Sequence, residues 1–227
     1  MDIILIGGLW LDASAWDAVV PELQALGHRP VPVSLPGQGA PPVAATIDDQ
    51  LAAVLAAVDA AAGSVLVVGH SAASTLAWMA ADARPKQVAR VAMIGGFPSS
   101  DGAAYADFFE LVDGVMPFPG WEPFEGPDSA DLDEQRRQAI AAAAVSVPEA
   151  VAKGIVHLGD ERRFDVPVTL VCPEFSPAQA REWIAAGDIP ELARARHVEY
   201  ADIDSGHWPM FTRPAELARL LAGLADA

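Results

Sequence analysis

Only one cysteine, Cys172, occurs in the 227-residue sequence, so the chain cannot form a disulfide within itself. Basic residues are also few: 14 Lys and Arg oppose 31 Asp and Glu, which gives a formal net charge of -17. Because such a field repels nucleic-acid phosphates and anionic lipid surfaces, we expect no nucleic-acid partner. His-x-x-x-His and Cys-x-x-Cys pairs are missing, and we predict no bound metal.

Long apolar runs are missing as well. Segment 139–145 is apolar, but it is short beside the roughly 20 residues that a membrane span needs. The sequence also opens without the basic and apolar leader of a secreted protein. We therefore expect a cytoplasmic protein that does not bind membranes.

The residues that are present favour one substantial core, because 52% of them are hydrophobic and 20% are charged. Short apolar runs alternate with helical patterns, which predicts a parallel sheet with right-handed crossovers and helices on both faces. The predicted strands cover 2–6, 29–35, 64–68 and 87–94, and the predicted helices cover 13–26, 46–63 and 72–81. Prolines in 29–35 place that strand where missing backbone donors do little harm, before a turn at 36–39.

Between residues 102 and 164 the alternation stops, and aromatic residues occur among prolines and glycines. We interpret this stretch, the cap segment, as an insertion with a helix at 132–144. Alternation then resumes with strands at 166–172 and 197–203 and helices at 177–186 and 214–224. The predicted organisation is a core in two parts, 1–101 and 165–227, separated by the cap segment 102–164.

One serine stands where a predicted strand turns directly into a helix, in the sequence Gly69-His70-Ser71-Ala72-Ala73. In the G-x-S-x-G pattern such a turn is strained and exposes the hydroxyl at the carboxyl edge of the sheet, where ligands bind. Here Ala73 replaces the last glycine and adds a methyl group beside the neighbouring strand. We predict that Ser71 is a nucleophile; the alternative is that it only caps the following helix.

Two amides and an imidazole complete the predicted site. Gly7 and Gly8 permit a tight turn after the first strand, so the amide of Leu9 can join that of Ala72 in holding an oxyanion. The alternative is an ordinary turn between a strand and a helix. His207 follows a later strand at the same edge of the sheet, which suits a general base. The other histidines are interpreted as structural: His28, His70, His157 and His197.

The ordered set of motifs resembles the alpha/beta-hydrolase superfamily. Within it, segment 7–16, GGLWLDASAW, is similar to the opening of the plant methylesterase and hydroxynitrile lyase branch, with Gly7 where that branch usually has histidine. Segment 171–183, VCPEFSPAQAREW, is similar to the same branch's acid segment. The resemblance implies the alpha/beta-hydrolase fold: a mostly parallel sheet of about six strands, helices on both faces and a helical cap. It also implies a Ser-acid-His triad in that chain order.

The acid departs from the family pattern, because the position that normally carries aspartate falls at Phe175 or Ser176. Glu174 is the nearest carboxylate and is our predicted acid, although an ordinary loop glutamate fits the sequence equally well. Asp101 is the alternative acid, since some superfamily members take it from the end of the preceding strand. Three further aspartates are disfavoured, two by closeness to His207 and one by lying at the wrong end of its strand: Asp202, Asp204 and Asp165.

These residues predict a serine hydrolase that cleaves small or medium carboxylic esters without a cofactor. Trp10 and Trp208, together with the aromatic residues of the cap segment, suggest an apolar pocket for a small-molecule ester; the alternative is an ordinary apolar core. Trp208 stands where related hydroxynitrile lyases carry lysine, which disfavours lyase chemistry. An inactive member that binds a small molecule as a sensor or carrier is the alternative function, and a homodimer is compatible with the sequence. Segment 159–165, GDERRFD, is interpreted as a solvated charge run or, alternatively, a carboxylate-binding site through Arg162 and Arg163.

Overall fold

The computed structural model describes residues 1–38 and 44–227, and a six-stranded sheet forms its centre. Gly39, the last residue of the predicted turn at 36–39, lies outside the described residues. The strands of the described residues are β1 (Asp2–Ile6), β2 (Arg29–Pro32), β3 (Val65–His70), β4 (Val88–Ile94), β5 (Val115–Met116), β6 (Val147–Pro148), β7 (Val168–Cys172) and β8 (Val198–Asp202). The large sheet has the order β2-β1-β3-β4-β7-β8, and all of its pairs are parallel.

Strand β2 forms one edge of this sheet, next to β1. The prolines Pro30 and Pro32 remove two backbone donors from it. An edge strand tolerates such a loss, because only one of its sides must pair with a neighbour. The expectation that the proline-containing strand avoids the sheet centre is confirmed.

Helices cover both faces of the sheet and none in the described part of the chain is long and apolar enough to cross a membrane. They are α1 (Val20–Ala25), α2 (Ile47–Asp59), α3 (Ala73–Ala83), α4 (Glu134–Ala143), α5 (Glu149–Ala152), α6 (Pro177–Ala186), α7 (Pro190–Arg194), α8 (Pro209–Thr212) and α9 (Pro214–Asp226). The sheet with its helices is the fold class expected from the sequence.

The prediction of one continuous helix at 13–26 is wrong. A short 3-10 helix occupies Ala13–Trp16, and α1 begins only at Val20. Pro21 explains the break, because proline has no amide hydrogen and fits only in the first turn of a helix. Gly27 follows α1 with φ 88°, the left-handed conformation expected after a helix.

Two apolar clusters fill the space on the two faces of the sheet. Successive side chains of a strand point to opposite faces. In β1, Ile3 and Leu5 join one cluster, and Ile4 and Ile6 join the other. This two-sided burial explains why the central strands are uninterrupted apolar runs rather than alternating ones.

The cap segment is fastened at its two ends by backbone hydrogen bonds between them. The amide of Tyr105 donates to the carbonyl of Gly154 at 2.9 Å, and that of Ala106 donates to Ala152 at 2.9 Å. Within the cap segment, β5 and β6 pair antiparallel and α4 occupies most of the predicted helix at 132–144. Residues near the two ends of the cap segment therefore lie side by side.

The interpretation of segment 159–165 as a solvated charge run is wrong for one of its two arginines. Arg163 is 3% exposed, and its guanidinium donates to Glu191 at 2.9 Å and to Asp82 at 3.1 Å. The indole of Trp78 donates to the same Glu191 carboxylate at 2.9 Å. Arg162, by contrast, is exposed, and among the described residues its side chain pairs only with Asp160. Because Arg163 is enclosed by acidic partners of this chain, the structure contradicts its assignment to a carboxylate-binding site.

Replacing Arg163 with methionine is expected to lower the free energy of unfolding by about 3–5 kcal/mol, because it leaves the buried Glu191 and the Asp82 carboxylate without their cation. The matched control is Arg162→Met, which removes the neighbouring exposed arginine and should change stability little. Urea unfolding followed by circular dichroism measures both variants. Equal unfolding midpoints for Arg163→Met and the wild type would contradict a stabilising role for the ion pairs of Arg163.

Candidate active site

The predicted nucleophile lies on a sharp turn between β3 and α3. Ser71 has φ 53°, a left-handed conformation that is rare for a residue with a side chain. Its amide donates to the carbonyl of Ile94, the last residue of β4, at 2.8 Å. Strained backbone of this kind is typical of functional sites, and here it occurs at the position expected from the sequence pattern.

Glycines on three sides allow the backbone to approach this turn closely. A Cβ atom on Gly69 would overlap the carbonyl of Ala73, and one on Gly96 would overlap the carbonyl of Ser71. A Cβ on Gly8 would lie 3.0 Å from the Cβ of Ser71. Ala73 itself is fully buried, so the chain accommodates the methyl group in place of the last motif glycine.

Gly95 and Gly96 are site residues that the sequence reasoning missed. They follow β4, just as Gly7 and Gly8 follow β1, and these two strands flank β3 in the sheet. A second glycine doublet at the end of a predicted strand was the available signal. The structure shows that Gly8 and Gly96 border the Ser71 turn and that Gly95 borders His207, whereas Gly7 lies against Leu11 and Asp12.

His207 and Glu174 form a partly buried hydrogen-bonded pair. The Nδ1 atom of His207 lies 2.8 Å from Oε1 of Glu174, and their side chains are 12% and 13% exposed. Because a carboxylate only accepts, Nδ1 carries the hydrogen, so Nε2 of the neutral ring has the lone pair. Gly95 lies against this pair, since a Cβ there would be 3.0 Å from His207 Nδ1 and 3.2 Å from Glu174 Oε2.

The alternative acid, Asp101, lies elsewhere. Its carboxylate accepts from the amide of Leu158 at 2.9 Å, which fastens the end of the cap segment to its beginning. Among the acidic residues considered from the sequence, Glu174 is the one that the structure brings to His207. Asp165 pairs with Arg196 instead.

Two amides beside Ser71 are available to a ligand. Neither the Leu9 nor the Ala72 amide donates a hydrogen bond to a partner within the described residues. Ala72 also precedes α3 without a side-chain cap, so no capping side chain occupies the free amides at that helix end. Backbone donors at a helix N-terminus favour a developing negative charge.

A cavity of about 60 Å³ lies beside Leu9, Ser71 and His207. Within the described residues the Ser71 hydroxyl has no hydrogen-bond partner, as is common before a substrate tightens the site. The residues that line the cavity are Leu9, Trp10, His70, Ser71, Phe108, Phe109, Phe124, His207 and Trp208. The predicted nucleophile, base and both predicted substrate-contacting tryptophans therefore share one small space.

Trp10 and Trp208 also connect this cavity to the cap segment. Trp10 has φ 63°, and its indole donates to the carbonyl of Met116 at 3.2 Å. Its ring packs edge-on against Phe118 at 5.5 Å. Trp208 packs in the same manner against His207 at 4.8 Å and against Trp121 at 5.3 Å. Both tryptophans therefore line the cavity and contact residues of the cap segment.

Burial sets the ionisation of His70 and Asp128, the titratable neighbours of the pair. Burial lowers the pKa of His70 well below its ordinary value, the charge of His207 lowers it further, and the hydrogen bond to the His207 carbonyl opposes both effects. Burial raises the pKa of the Asp128 carboxyl, while His207 lowers it and Glu174 raises it. His70 is therefore neutral at neutral pH. The described residues contain no group of three or more His, Cys, Asp or Glu side chains arranged for a metal ion.

Replacing Gly96 with alanine is expected to displace the Ser71 turn and to destabilise the fold by about 1–3 kcal/mol, because the new Cβ overlaps backbone that cannot move alone. The control is Gly159→Ala, at a position with no atom within 4 Å of the new Cβ, which should change stability by less than about 0.5 kcal/mol. Thermal unfolding compares the two. Identical midpoints would contradict the close approach at Gly96.

Comparisons with known proteins agree with this architecture. The solved structures that resemble the chain include an extracellular alpha/beta-hydrolase from a Paenibacillus species, at 18% identity and a TM-score of 0.79, covering 100% of both chains. A pyrethroid hydrolase from Sphingobium faniae JZ-2 has 22% identity and a TM-score of 0.73, covering 100% of this chain and 98% of the other. A methylesterase from Arabidopsis has 13% identity and a TM-score of 0.77, covering 100% and 99%.

At these identities the likeness shows the fold. No curated protein matches the sequence. The model of the alpha/beta hydrolase family matches residues 3–220. The resemblance seen in the sequence is thereby confirmed, and the chain belongs to the alpha/beta hydrolase family.

Proposed function

We propose that this protein is a serine hydrolase that cleaves small or medium carboxylic esters through an acyl-enzyme on Ser71. The observation that carries the proposal is the hydrogen-bonded His207–Glu174 pair, whose histidine borders the same cavity as Ser71. Acyl transfer requires a hydroxyl that attacks, an imidazole that accepts its proton and a carboxylate that orients the imidazole. Family membership supports the same reaction class.

In the proposed first step the Ser71 hydroxyl oxygen attacks the ester carbonyl carbon, and Nε2 of His207 accepts the hydroxyl proton. The carbonyl oxygen becomes an oxyanion, which the amides of Leu9 and Ala72 stabilise. Glu174 holds the Nδ1 hydrogen and stabilises the imidazolium that forms. The intermediate then collapses, the C–O bond of the ester breaks, and the alcohol leaves with the proton from His207.

In the second step water attacks the acyl carbon, and His207 accepts its proton. Collapse of the second tetrahedral intermediate breaks the bond to Ser71 and returns the proton to the serine oxygen. A carboxylic acid leaves, and the enzyme is restored with all atoms balanced. These steps call for no cofactor.

The cavity supports small esters as substrates. About 60 Å³ is well below the roughly 300–1,000 Å³ of a site for a drug-sized ligand. Apolar and aromatic side chains surround it, including Trp10, Phe109 and Trp208. An acyl group of a few carbons, without charge, suits this lining. The names of the structural neighbours, a pyrethroid hydrolase and a methylesterase, are compatible with ester cleavage.

Ser71→Ala is expected to reduce turnover of p-nitrophenyl acetate by about 10⁴-fold or more, because it removes the attacking oxygen. A fluorophosphonate should label the wild type at Ser71 and leave Ser71→Ala unlabelled. The control is Ser64→Ala, which alters an exposed serine before β3 and should behave as the wild type. Release of p-nitrophenolate and mass spectrometry of the labelled peptide provide the two measurements.

A wild-type protein that neither turns over the ester nor reacts with the fluorophosphonate would contradict the proposal. That result would favour the alternative of a binding protein without catalysis.

Glu174→Ala is expected to lower kcat by about 10³- to 10⁴-fold, because His207 loses the group that orients it and stabilises its charge. Asp101→Ala provides the comparison, since it removes the alternative acid and its hydrogen bond with the amide of Leu158. Its kcat should stay close to the wild-type value. Steady-state kinetics decide between the two acids. A larger loss of kcat in Asp101→Ala than in Glu174→Ala would make Asp101 the acid instead of Glu174.

A further inference from the structure

His70, which the sequence reasoning treated as structural, makes a direct contact with the main chain of His207. Its ring is 1% exposed, and its Nε2 atom lies 2.8 Å from the carbonyl oxygen of His207. The centres of the two imidazole rings are 4.8 Å apart. His70 thus reaches the loop that carries the proposed base, 137 residues further along the chain.

The partner of His70 fixes its tautomer. A carbonyl oxygen only accepts hydrogen bonds, so Nε2 must carry the hydrogen and donate it. The neutral ring has one hydrogen, and Nδ1 therefore presents a lone pair. That Nδ1 is buried without a partner among the described residues, and a Cβ on Gly8 would lie 2.7 Å from it.

An apolar side chain of similar size would fill the same space without this unpaired nitrogen. Leaving a buried polar atom without a partner costs free energy, so a ring that merely fills space would be better as a hydrocarbon. The feature that an imidazole adds at this position is the Nε2–H donor. The geometry consequently assigns importance to that hydrogen bond rather than to the volume of the ring.

The His207 residue is held at three points, of which His70 supplies one. Its amide donates to the carbonyl of Asp128 at 2.7 Å, its carbonyl accepts from His70, and its ring is bound by Glu174. Gly206 packs against the Asp128 carbonyl so closely that a Cβ there would overlap it. These contacts fix both polar groups of the His207 main chain. The side chain can still rotate about its own bonds, and the hydrogen bond to Glu174 restricts that rotation.

We propose that His70 is a positioning residue for ester hydrolysis: its Nε2–H fixes the main chain of His207 so that the imidazole stays within reach of the Ser71 hydroxyl. This inference rests on the proposed function and deepens it. The hydrogen bond of His70 reaches the main chain of His207 and not the reacting atoms. Displacement of a catalytic group by about 1 Å is enough to lower a rate about 100-fold, which makes such a clamp consequential.

Three substitutions separate the donor from the volume of the ring. His70→Gln keeps an N–H donor near the position of Nε2, His70→Asn offers a donor one bond too short, and His70→Leu fills space without a donor. His157→Gln is the matched control, because it makes the same exchange at an exposed histidine away from the site. For each variant we would measure kcat, KM, the rate of fluorophosphonate labelling at Ser71 and the thermal midpoint.

His70→Leu and His70→Asn are expected to lower kcat and the labelling rate by about 10- to 100-fold, with a smaller change in KM. His70→Gln should recover most of that loss, and His157→Gln should match the wild type. Folded His70→Leu with wild-type kcat would overturn the proposal. So would equal losses in His70→Gln and His70→Leu at comparable thermal midpoints.

Nitrogen-15 NMR of the histidine rings gives a readout that does not depend on activity. We expect neutral His70 with its hydrogen on Nε2, and in His70→Leu we expect faster hydrogen exchange at the His207 amide. A hydrogen on Nδ1, or unchanged exchange, would overturn the proposal even if the wild type proves inactive. Absence of turnover and labelling in the wild type, by contrast, would overturn the proposed function alone.

Discussion

The hydrogen bond between Glu174 and His207 is the interaction on which the rest of the site depends. It joins the loop after β7 to the loop after β8, and the strand pairing beneath it holds both loops at one edge of the sheet. With a carboxylate on Nδ1, the imidazole presents Nε2 as an acceptor. A lone pair at that atom is the property that a general base needs.

Close backbone packing is the second constraint. The turn at Ser71 lies between the ends of β1 and β4, and each of these ends carries a glycine doublet. Cβ atoms on Gly8, Gly95 and Gly96 would crowd the turn or the His207–Glu174 pair. The absence of these three Cβ atoms thus leaves room for the serine turn and the imidazole to lie beside one cavity. Ser71 keeps this strained backbone conformation because the neighbouring backbone leaves no room for a relaxed one.

Much of the fold could be predicted from the sequence, because buried parallel strands are short apolar runs and each ends near the same edge. This is why Ser71 and His207 could be assigned to that edge from order alone. Glu174 could be selected as a candidate because it follows β7 directly, yet the sequence could not reject Asp101. That rejection requires knowing that Asp101 bonds Leu158, on the far end of an insertion.

Features that depend on partners far away in the sequence could not be predicted from the sequence. The buried state of Arg163 follows from Glu191 on the five-residue helix α7, which is too short to show a helical period. The contact of His70 escaped for a different reason, since its partner is a carbonyl, and every residue has one. The identity of a residue therefore does not indicate which side chain its carbonyl will bind. The glycine doublet at Gly95 and Gly96 was visible, but its meaning depended on which strands are neighbours.

The central claim is that Ser71, His207 and the amides of Leu9 and Ala72 act on one bound carbonyl. A crystal structure of the protein after reaction with a small phosphonate tests this most directly, because the tetrahedral phosphorus stands in for the reacting carbon. The account predicts a bond from phosphorus to the Ser71 oxygen and a phosphoryl oxygen about 2.7–3.1 Å from both amide nitrogens, with His207 beside the serine. A phosphoryl oxygen that points into solvent, or an adduct on another residue, would contradict it.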